Sequence, residues 1–257
     1  MSETKAIIGY QNLIENAATI TASSQTAAGP VQQAWDGITT TYWEIGEAGT
    51  HTLTCVFSSP VLADYFGVFA HNLATAGAQI KLQYSRDIGV TWRDAFDALQ
   101  LADNYCALKP FPLMVTTHWR VHIVVTTAPL YIGVLQFGAK LLPYRGMPVG
   151  FVYPADSRDT EIIPNRTESG AFAGRSVIPR GTETELQINV VPEDWLRREW
   201  RPFVRWAEKK PFFFSWNHTD YPEECVFAMA KPGIPSPSQA DFRLYNLRMP
   251  IVCLGGQ

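Results

Sequence analysis

The sequence has little charge and no long apolar run. Charged residues make up 18% of the 257 residues, and the formal net charge is −3. No stretch approaches the roughly 20 apolar residues that a membrane-spanning helix needs. The first ten residues, MSETKAIIGY, contain no apolar segment of the secretory kind. The sequence therefore predicts a chain that is neither inserted into a membrane nor secreted through a signal peptide.

Basic side chains are few and do not cluster. Lys and Arg number 21 against 24 Asp and Glu. No basic stripe follows any segment in the way that binding to a phosphate backbone requires. We therefore expect no nucleic-acid specificity.

Cysteine pairs of the metal-binding kind are absent. The four cysteines are far apart, and none forms a CxxC pair: Cys55, Cys106, Cys225 and Cys253. A structural zinc site needs such paired ligands, so the spacing argues against one. In a chain without a secretory signal, we expect all four to be reduced, buried thiols.

Motifs of catalysis are also missing. The chain has no nucleophile elbow, no HExxH and no P-loop. His118 and His122 have HxxxH spacing, but their segment is a predicted strand, in which four residues span about 13 Å and cannot share one ion. We expect no enzyme and no cofactor. A hydrolase remains a distant alternative, because sequence cannot show two carboxylates converging in a cleft.

Aromatic residues and turn formers dominate what is present. Aromatics reach 12%, with 18 Gly and 18 Pro, a composition that favours β structure. Short apolar runs alternate with turn signals in the first 140 residues, and Ile80 and Leu82 alternate with Lys81 and Gln83. This period of two predicts strands with one solvent-facing side, arranged as a sandwich.

A domain boundary is predicted near 140–154, where Pro and Gly recur. We therefore divide the chain into 1–142 and 143–257. The second part contains one predicted helix at about 192–209, preceded and followed by strands.

The predicted helix has a clear apolar face. Pro192 suits a first helical position, whereas Pro202 should kink or divide the helix. The apolar face repeats with helical spacing through Leu196, Trp200, Phe203, Val204 and Ala207.

Two motifs in the first part suggest a family. The segment QQAWDGITTTYWEI (32–45) has an A-x-DG-x-x-x-T-x-W pattern, and IKLQYSRDIGVTWRDAF (80–96) has a turn followed by Trp. Both resemble discoidin-like, galactose-binding-like jelly rolls, and the resemblance covers roughly residues 10–140. It implies a mainly β fold, with an N-terminal jelly-roll sandwich followed by a C-terminal β-barrel or sandwich with one packed helix.

The remaining segments resemble tailed-bacteriophage proteins. The stretch ADYFGVFAHNLATAGAQIKLQYS (63–85) is similar to discoidin-like modules of phage tails. The order of elements after residue 143 resembles the ring-forming domain of siphophage distal tail or minor tail proteins. The resemblance implies a virion tail protein made in the host cytoplasm. Its partners would be its own copies in a ring (hexamer or trimer), the tail tube, tail-tip or hub proteins, and host surface carbohydrate.

The first jelly-roll motif suggests a calcium site. Some members of the family hold calcium there, and Asp36 and Thr41 are the matching oxygen donors. The alternative is a turn stabilised by the Asp36 carboxylate. Gln136 stands near the position where the family places a further acidic residue.

A glycan site would need exposed aromatics beside polar groups. The candidates are Tyr42, His71 and Asn72. Trp43 and Trp92 each follow a turn and enter a strand, so we expect both to be buried and Tyr42 to be exposed.

The helix offers an assembly surface. Trp and Arg are enriched at binding hot spots, and WLRREWRPFVRW (195–206) contains both. Because Trp195 and Trp206 lie off the apolar face, we predict that Arg198, Arg205 and Trp206 contact a neighbouring subunit. Glu161 and Glu168, in an irregular stretch over 153–175, would be their partners.

The sequence suggests two functions of different kinds, one structural and one of ligand binding. The first is a structural component of a phage tail tip that assembles into a ring and joins the tail tube to host-recognition proteins. The second is a lectin-like module that binds carbohydrate and adheres to host glycans.

Overall fold

The chain folds as a mainly β protein, as predicted. The computed structural model describes residues 6–154, 159–166, 168–169 and 172–254, and only the backbone within 159–166 and 172–180. The described strands form one eight-stranded sheet, one seven-stranded sheet and one two-stranded hairpin. None of the helices described is long and apolar enough to span a membrane.

The eight-stranded sheet folds over into a jelly-roll sandwich. Its strands are β2 (Thr19–Ala22), β3 (Trp43–Ile45), β4 (Gly49–His71), β5 (Gln79–Ser85), β6 (Arg93–Asp94), β7 (Leu99–Gln100), β8 (Ala107–Val125) and β9 (Leu130–Gly138). The long strands β4 and β8 pair along their lengths, with register shifts near the middle. The first part of β4 also pairs with β2, and its second part pairs with β9. Both long strands thereby pass from one layer of the sandwich to the other.

The sandwich core confirms the prediction for Trp43, which is fully buried. Its indole Nε1 donates to the Ser24 carbonyl at 2.9 Å. The predicted burial of Trp92 is wrong: its side chain is partly exposed, and the Arg120 guanidinium lies 4.2 Å from its ring centroid. The apolar residues that follow, Ala95 and Phe96, are buried in the core instead, and Phe96 packs against Phe66. The Asp87 turn therefore leaves Trp92 on the outer surface.

The seven-stranded sheet combines both ends of the chain. Its members are β1 (Ile7–Gly9), β10 (Lys140–Leu141), β13 (Thr182–Pro192), β14 (Phe212–Ser215), β15 (Cys225–Ala230), β16 (Ser238–Asp241) and β17 (Leu244–Leu254). The order is β10-β1-β14-β15-β17-β13, with β16 beside β17. The division at residue 142 stays a prediction. Strand pairing nevertheless joins β1 and β10 to the sheet of the second part.

The segment over 153–175 was predicted to be irregular, and this is wrong. Strands β11 (Asp159–Arg166) and β12 (Phe172–Arg180) pair antiparallel as a hairpin. The side chain of Glu161 lies outside the described residues, whereas Glu168 is exposed.

The helix is continuous from Glu193 to Ala207 but changes its winding. It consists of α1 (Glu193–Trp195), a π-helical turn (Leu196–Trp200) and α2 (Arg201–Ala207). Pro202 lies at the start of α2, where its missing N–H is tolerated after the wider turn. The sequence predicted that Pro202 would kink or divide the helix; the helix is not divided there, and its winding changes in the turn before Pro202.

The apolar face of the helix packs on the seven-stranded sheet. Leu196, Trp200, Phe203 and Ala207 are buried there. Trp195 is also buried, at 8% exposure, although the sequence placed it off this face. The π-helical turn explains the error, because its wider winding rotates Trp195 towards the core.

The two parts share a packed junction. Phe212 and Phe214 of β14 belong to the same buried cluster as the helix, whereas Phe213 belongs to the buried cluster that contains Tyr65 and Val134 of the sandwich. A Cβ on Gly67 would lie 2.7 Å from the Phe213 ring. Consecutive residues of the PFFF segment (211–214) are all apolar because both faces of β14 are covered by other parts of the protein.

Candidate functional site

Tyr42 and Asn72 both contact Tyr131 at one end of the sandwich, and His71 is the last residue of β4, just before Asn72. Tyr42 is 41% exposed, as predicted. Its ring lies edge-on to Tyr131, with the two centroids 4.6 Å apart. Tyr131 is on β9 opposite Glu44 of β3. The result is a surface pair of aromatic rings, which we call the tyrosine pair.

Asn72 fixes the backbone beneath the tyrosine pair. Its Oδ1 accepts from the Tyr131 amide at 2.7 Å, and its Nδ2 donates to the Pro129 carbonyl at 3.0 Å. Its backbone amide also donates to the Tyr131 carbonyl at 3.2 Å. Both polar atoms of the Asn72 side chain therefore hold the loops together, and a contact between Asn72 and a glycan stays a prediction.

His71 is buried and does not present its ring to solvent. It is 7% exposed, and its Nδ1 accepts from the Leu73 amide at 3.3 Å. Burial lowers the pKa of His71 to about 4, opposed in part by hydrogen bonding to the Tyr105 backbone and by Asp103. The strand position of His71 places its ring inward, and a direct contact between His71 and a glycan stays a prediction.

A second loop braces the same end. Asn104 Oδ1 accepts from the Ala74 amide at 3.0 Å, and its Nδ2 donates to Thr75 Oγ1 at 2.8 Å. Tyr105 is 42% exposed beside it. Sequence reasoning missed Tyr131 and Asn104. The alternation of Tyr131 with buried Leu130 and Ile132 was the available signal.

Asp36 and Thr41 form a closed turn. Asp36 Oδ1 accepts from the Ile38 amide at 2.7 Å, and Oδ2 accepts from Thr41 Oγ1 at 2.9 Å. Gly37 adopts a φ of 80°, which the turn requires. Within the described part of the chain, no group of three or more His, Cys, Asp or Glu could hold a metal ion. The geometry is that of the Asx-type turn, and calcium binding stays a prediction.

The predicted assembly surface is only partly exposed. The side chains of Arg198 and Arg205 point outward on the helix, and Arg198 pairs with Glu199 at 2.8 Å. Trp206 packs inward against Tyr10, with ring centroids 6.2 Å apart. Trp206 is partly exposed, and its role as a subunit contact stays a prediction. Arg205 instead lines a shallow groove of about 360 Å³ together with Val204 and Ile234.

A further cleft lies at the junction of the two parts. It has a volume of about 350 Å³ and is lined from the sandwich by Tyr105, Cys106 and Lys109, and from the second part by His218 and Glu223. Burial and the nearby Lys109 lower the pKa of His218, while Glu223 opposes them. No motif in the sequence indicated this cleft, because its two walls come from distant parts of the chain. Lys109 of one wall and His218 of the other are 109 residues apart.

Neither a family model nor a curated protein sequence matches this chain. Solved structures similar to it include chitosan-binding module 1 of a chitosanase/glucanase from Paenibacillus sp. IK-5, at 24% identity and a TM-score of 0.43. Another is CpGH89CBM32-5 from Clostridium perfringens in complex with GalNAc-β-1,3-galactose, at 17% identity and a TM-score of 0.43. A third is a pectin-binding carbohydrate-binding module, at 14% identity and a TM-score of 0.40. The matches cover 51%, 50% and 48% of this chain and 100%, 100% and 91% of the others, in that order. Each likeness therefore spans about half of this chain.

Proposed function

We propose that this chain binds carbohydrate through the tyrosine pair at the end of its sandwich. The observation that carries the proposal is the exposed ring of Tyr42, held edge-on by Tyr131. An aromatic ring has an apolar face and, in Tyr, a polar tip. A pyranose likewise presents C–H groups on its faces and hydroxyls at its rim, so the two surfaces are complementary.

The backbone around the tyrosine pair supports binding because it is already ordered. Asn72 makes three hydrogen bonds to the Pro129–Tyr131 segment. A site that is ordered before binding loses less conformational entropy when the ligand arrives. Desolvation, Glu44 and Tyr42 raise the pKa of Tyr131. A tyrosine hydroxyl is protonated at neutral pH even without such a shift, so Tyr131 can donate to a sugar oxygen.

Affinity measurements on single variants test this proposal. The wild-type protein is first screened on a glycan array that includes chitosan, pectin and galactose-containing glycans. Binding of the best glycan is then measured by calorimetry for Tyr42→Ala and Tyr131→Ala. We expect each variant to bind at least about tenfold more weakly, equivalent to about 1.4 kcal/mol.

Tyr221→Ala is the matched control. Tyr221 is 45% exposed and stacks on Trp216, far along the chain in the second part. The Tyr221→Ala variant should retain wild-type affinity for the glycan. If Tyr42→Ala and Tyr221→Ala bind equally well, or if no glycan on the array binds, the site is not the tyrosine pair.

A second candidate function is structural assembly in a phage tail tip. The observation that favours it is the exposure of Arg198 and Arg205 on the helix, with Arg205 lining a groove beside Ile234. A closed ring requires two different patches that meet head to tail. In this account the ring would connect the tail tube to host-recognition proteins, and the tyrosine pair would face the host surface.

The double variant Arg198→Glu/Arg205→Glu tests the assembly candidate. Light scattering after size exclusion should show a ring for the wild type and a monomer with unchanged circular dichroism for the variant. Arg93→Glu, on an exposed strand of the sandwich, is the control and should assemble normally. A wild-type protein that stays monomeric at high concentration and with its tail partners would remove this candidate.

A further inference from the structure

Two cysteines from different parts of the chain touch at the junction. Cys106 lies just before β8 of the sandwich, and Cys225 is the first residue of β15 in the second part. Their Sγ atoms are 3.2 Å apart, although 119 residues separate them in the sequence. Both belong to the same buried cluster, together with Tyr65 and Phe213.

The other two cysteines are in different cores. Cys55 is buried inside the sandwich. Cys253 belongs to the buried cluster that contains the helix residues, not to the cluster of Cys106 and Cys225. The four thiols are all free and buried, so Cys106 and Cys225 are the pair that the fold brings into contact.

We propose that Cys106 and Cys225 are an oxidation site at which a disulfide forms and links the two parts of the chain covalently. A low-molecular-weight disulfide such as oxidised glutathione is the oxidant. One thiol loses its proton and attacks the oxidant, which releases one reduced thiol and leaves a mixed disulfide. The second protein thiol, after losing its proton, then displaces the other half of the oxidant. The protein loses two protons and two electrons, and the oxidant becomes two thiols.

The junction cleft gives the oxidant a route to this pair. Cys106 itself lines the cleft, beside Tyr105 and His218. Burial raises the pKa of the Cys106 thiol well above its ordinary value, and the adjacent Cys225 adds to the effect. Because the thiolate is the attacking species, we expect slow oxidation over hours rather than minutes.

The bond would stabilise the fold because it joins distant residues. A disulfide restricts the unfolded chain more strongly as the loop that it closes becomes longer. It would also fix the sandwich against the seven-stranded sheet at the point where Tyr65 and Phe213 already pack.

Peptide mapping of the oxidised protein tests the proposal directly. The folded chain is incubated with excess oxidised glutathione at about pH 8.5, unfolded under alkylating conditions and digested without reductant. We expect one linked pair of peptides, containing Cys106 and Cys225, while Cys55 and Cys253 are alkylated. The melting midpoint of the oxidised protein should lie about 5 °C or more above that of the reduced protein, and it should return to the reduced value when dithiothreitol is added.

The wild-type map needs no variant, so poor folding of a mutant cannot obscure the result. Cys225→Ala should abolish the linked peptides, whereas Cys253→Ala should retain them. Complete alkylation of both Cys106 and Cys225 after prolonged oxidation would overturn the proposal. A stable glutathione adduct on either thiol, or a linkage only between separate chains, would also overturn it.

Discussion

At the scale of single residues, the two tryptophans that follow turns in the sandwich have different surroundings. Trp43 is fully buried, and its indole is hydrogen-bonded. Trp92 is partly exposed under the Arg120 guanidinium. We therefore expect Trp43→Ala to reduce the free energy of unfolding by about 3–5 kcal/mol. Trp92→Ala should cost about 1 kcal/mol, mainly the lost cation–π contact. Urea denaturation of both variants measures the difference, and equal losses would contradict this assignment.

His71 predicts a specific dependence of stability on pH. Its pKa is about 4 in the folded protein, because burial disfavours the charged ring, against about 6.5 in the unfolded chain. The contribution of neutral His71 to the free energy of unfolding is thus fully present above pH 6.5. It is lost as pH falls towards 4, since the unfolded chain then binds a proton that the folded one does not. The free energy of unfolding should therefore fall by about 3 kcal/mol as the pH reaches 4.

The pH experiment compares His71→Asn with the wild type by chemical denaturation between pH 7 and pH 4. Asn keeps an acceptor for the Leu73 amide and does not titrate. The variant should therefore lose less stability than the wild type over this range. His118→Asn, on the partly exposed face of β8, is the control and should follow the wild type. Parallel curves for His71→Asn and the wild type would show that His71 is not the group responsible.

At the scale of elements, sequence patterns predicted the strands and the helix well. Alternation predicted β5, and the apolar spacing from Leu196 to Ala207 predicted the buried face of the helix. The hairpin of β11 and β12 was missed. It forms a separate two-stranded sheet, and short-range alternation in its sequence is weak.

The candidate site was predicted less completely than the elements around it. Tyr42 was recognised because a turn motif places it next to buried Trp43. The sequence did not predict that His71 is buried or that Asn72 is hydrogen-bonded to the backbone near Tyr131, since strand pairing determines which way a side chain faces. Tyr131 is 89 residues from Tyr42, so their ring contact depends on the pairing of β3 with β9 and cannot be read from local sequence.

At the scale of the whole molecule, the two parts are joined more closely than the sequence suggested. Strand β1 lies between β10 and β14, so the first residues complete the sheet of the second part. The Tyr65 hydroxyl also donates to the Gln11 carbonyl at 2.6 Å. Removing the chain after residue 142 would therefore expose β1, which would lose its β14 partner. The sandwich is better tested as residues 11–139 than as residues 1–142.

Binding of sugar by the tyrosine pair at the end of the sandwich would change the surroundings of both rings. The most direct measurement is an NMR titration of the whole chain with the best glycan from the array, with tyrosine ring resonances assigned from the Tyr42→Phe and Tyr131→Phe variants. We predict that the Tyr42 and Tyr131 rings shift in proportion to glycan bound, while Tyr144 and Tyr221 stay unchanged. Saturable binding that leaves the Tyr42 and Tyr131 resonances in place would contradict the account.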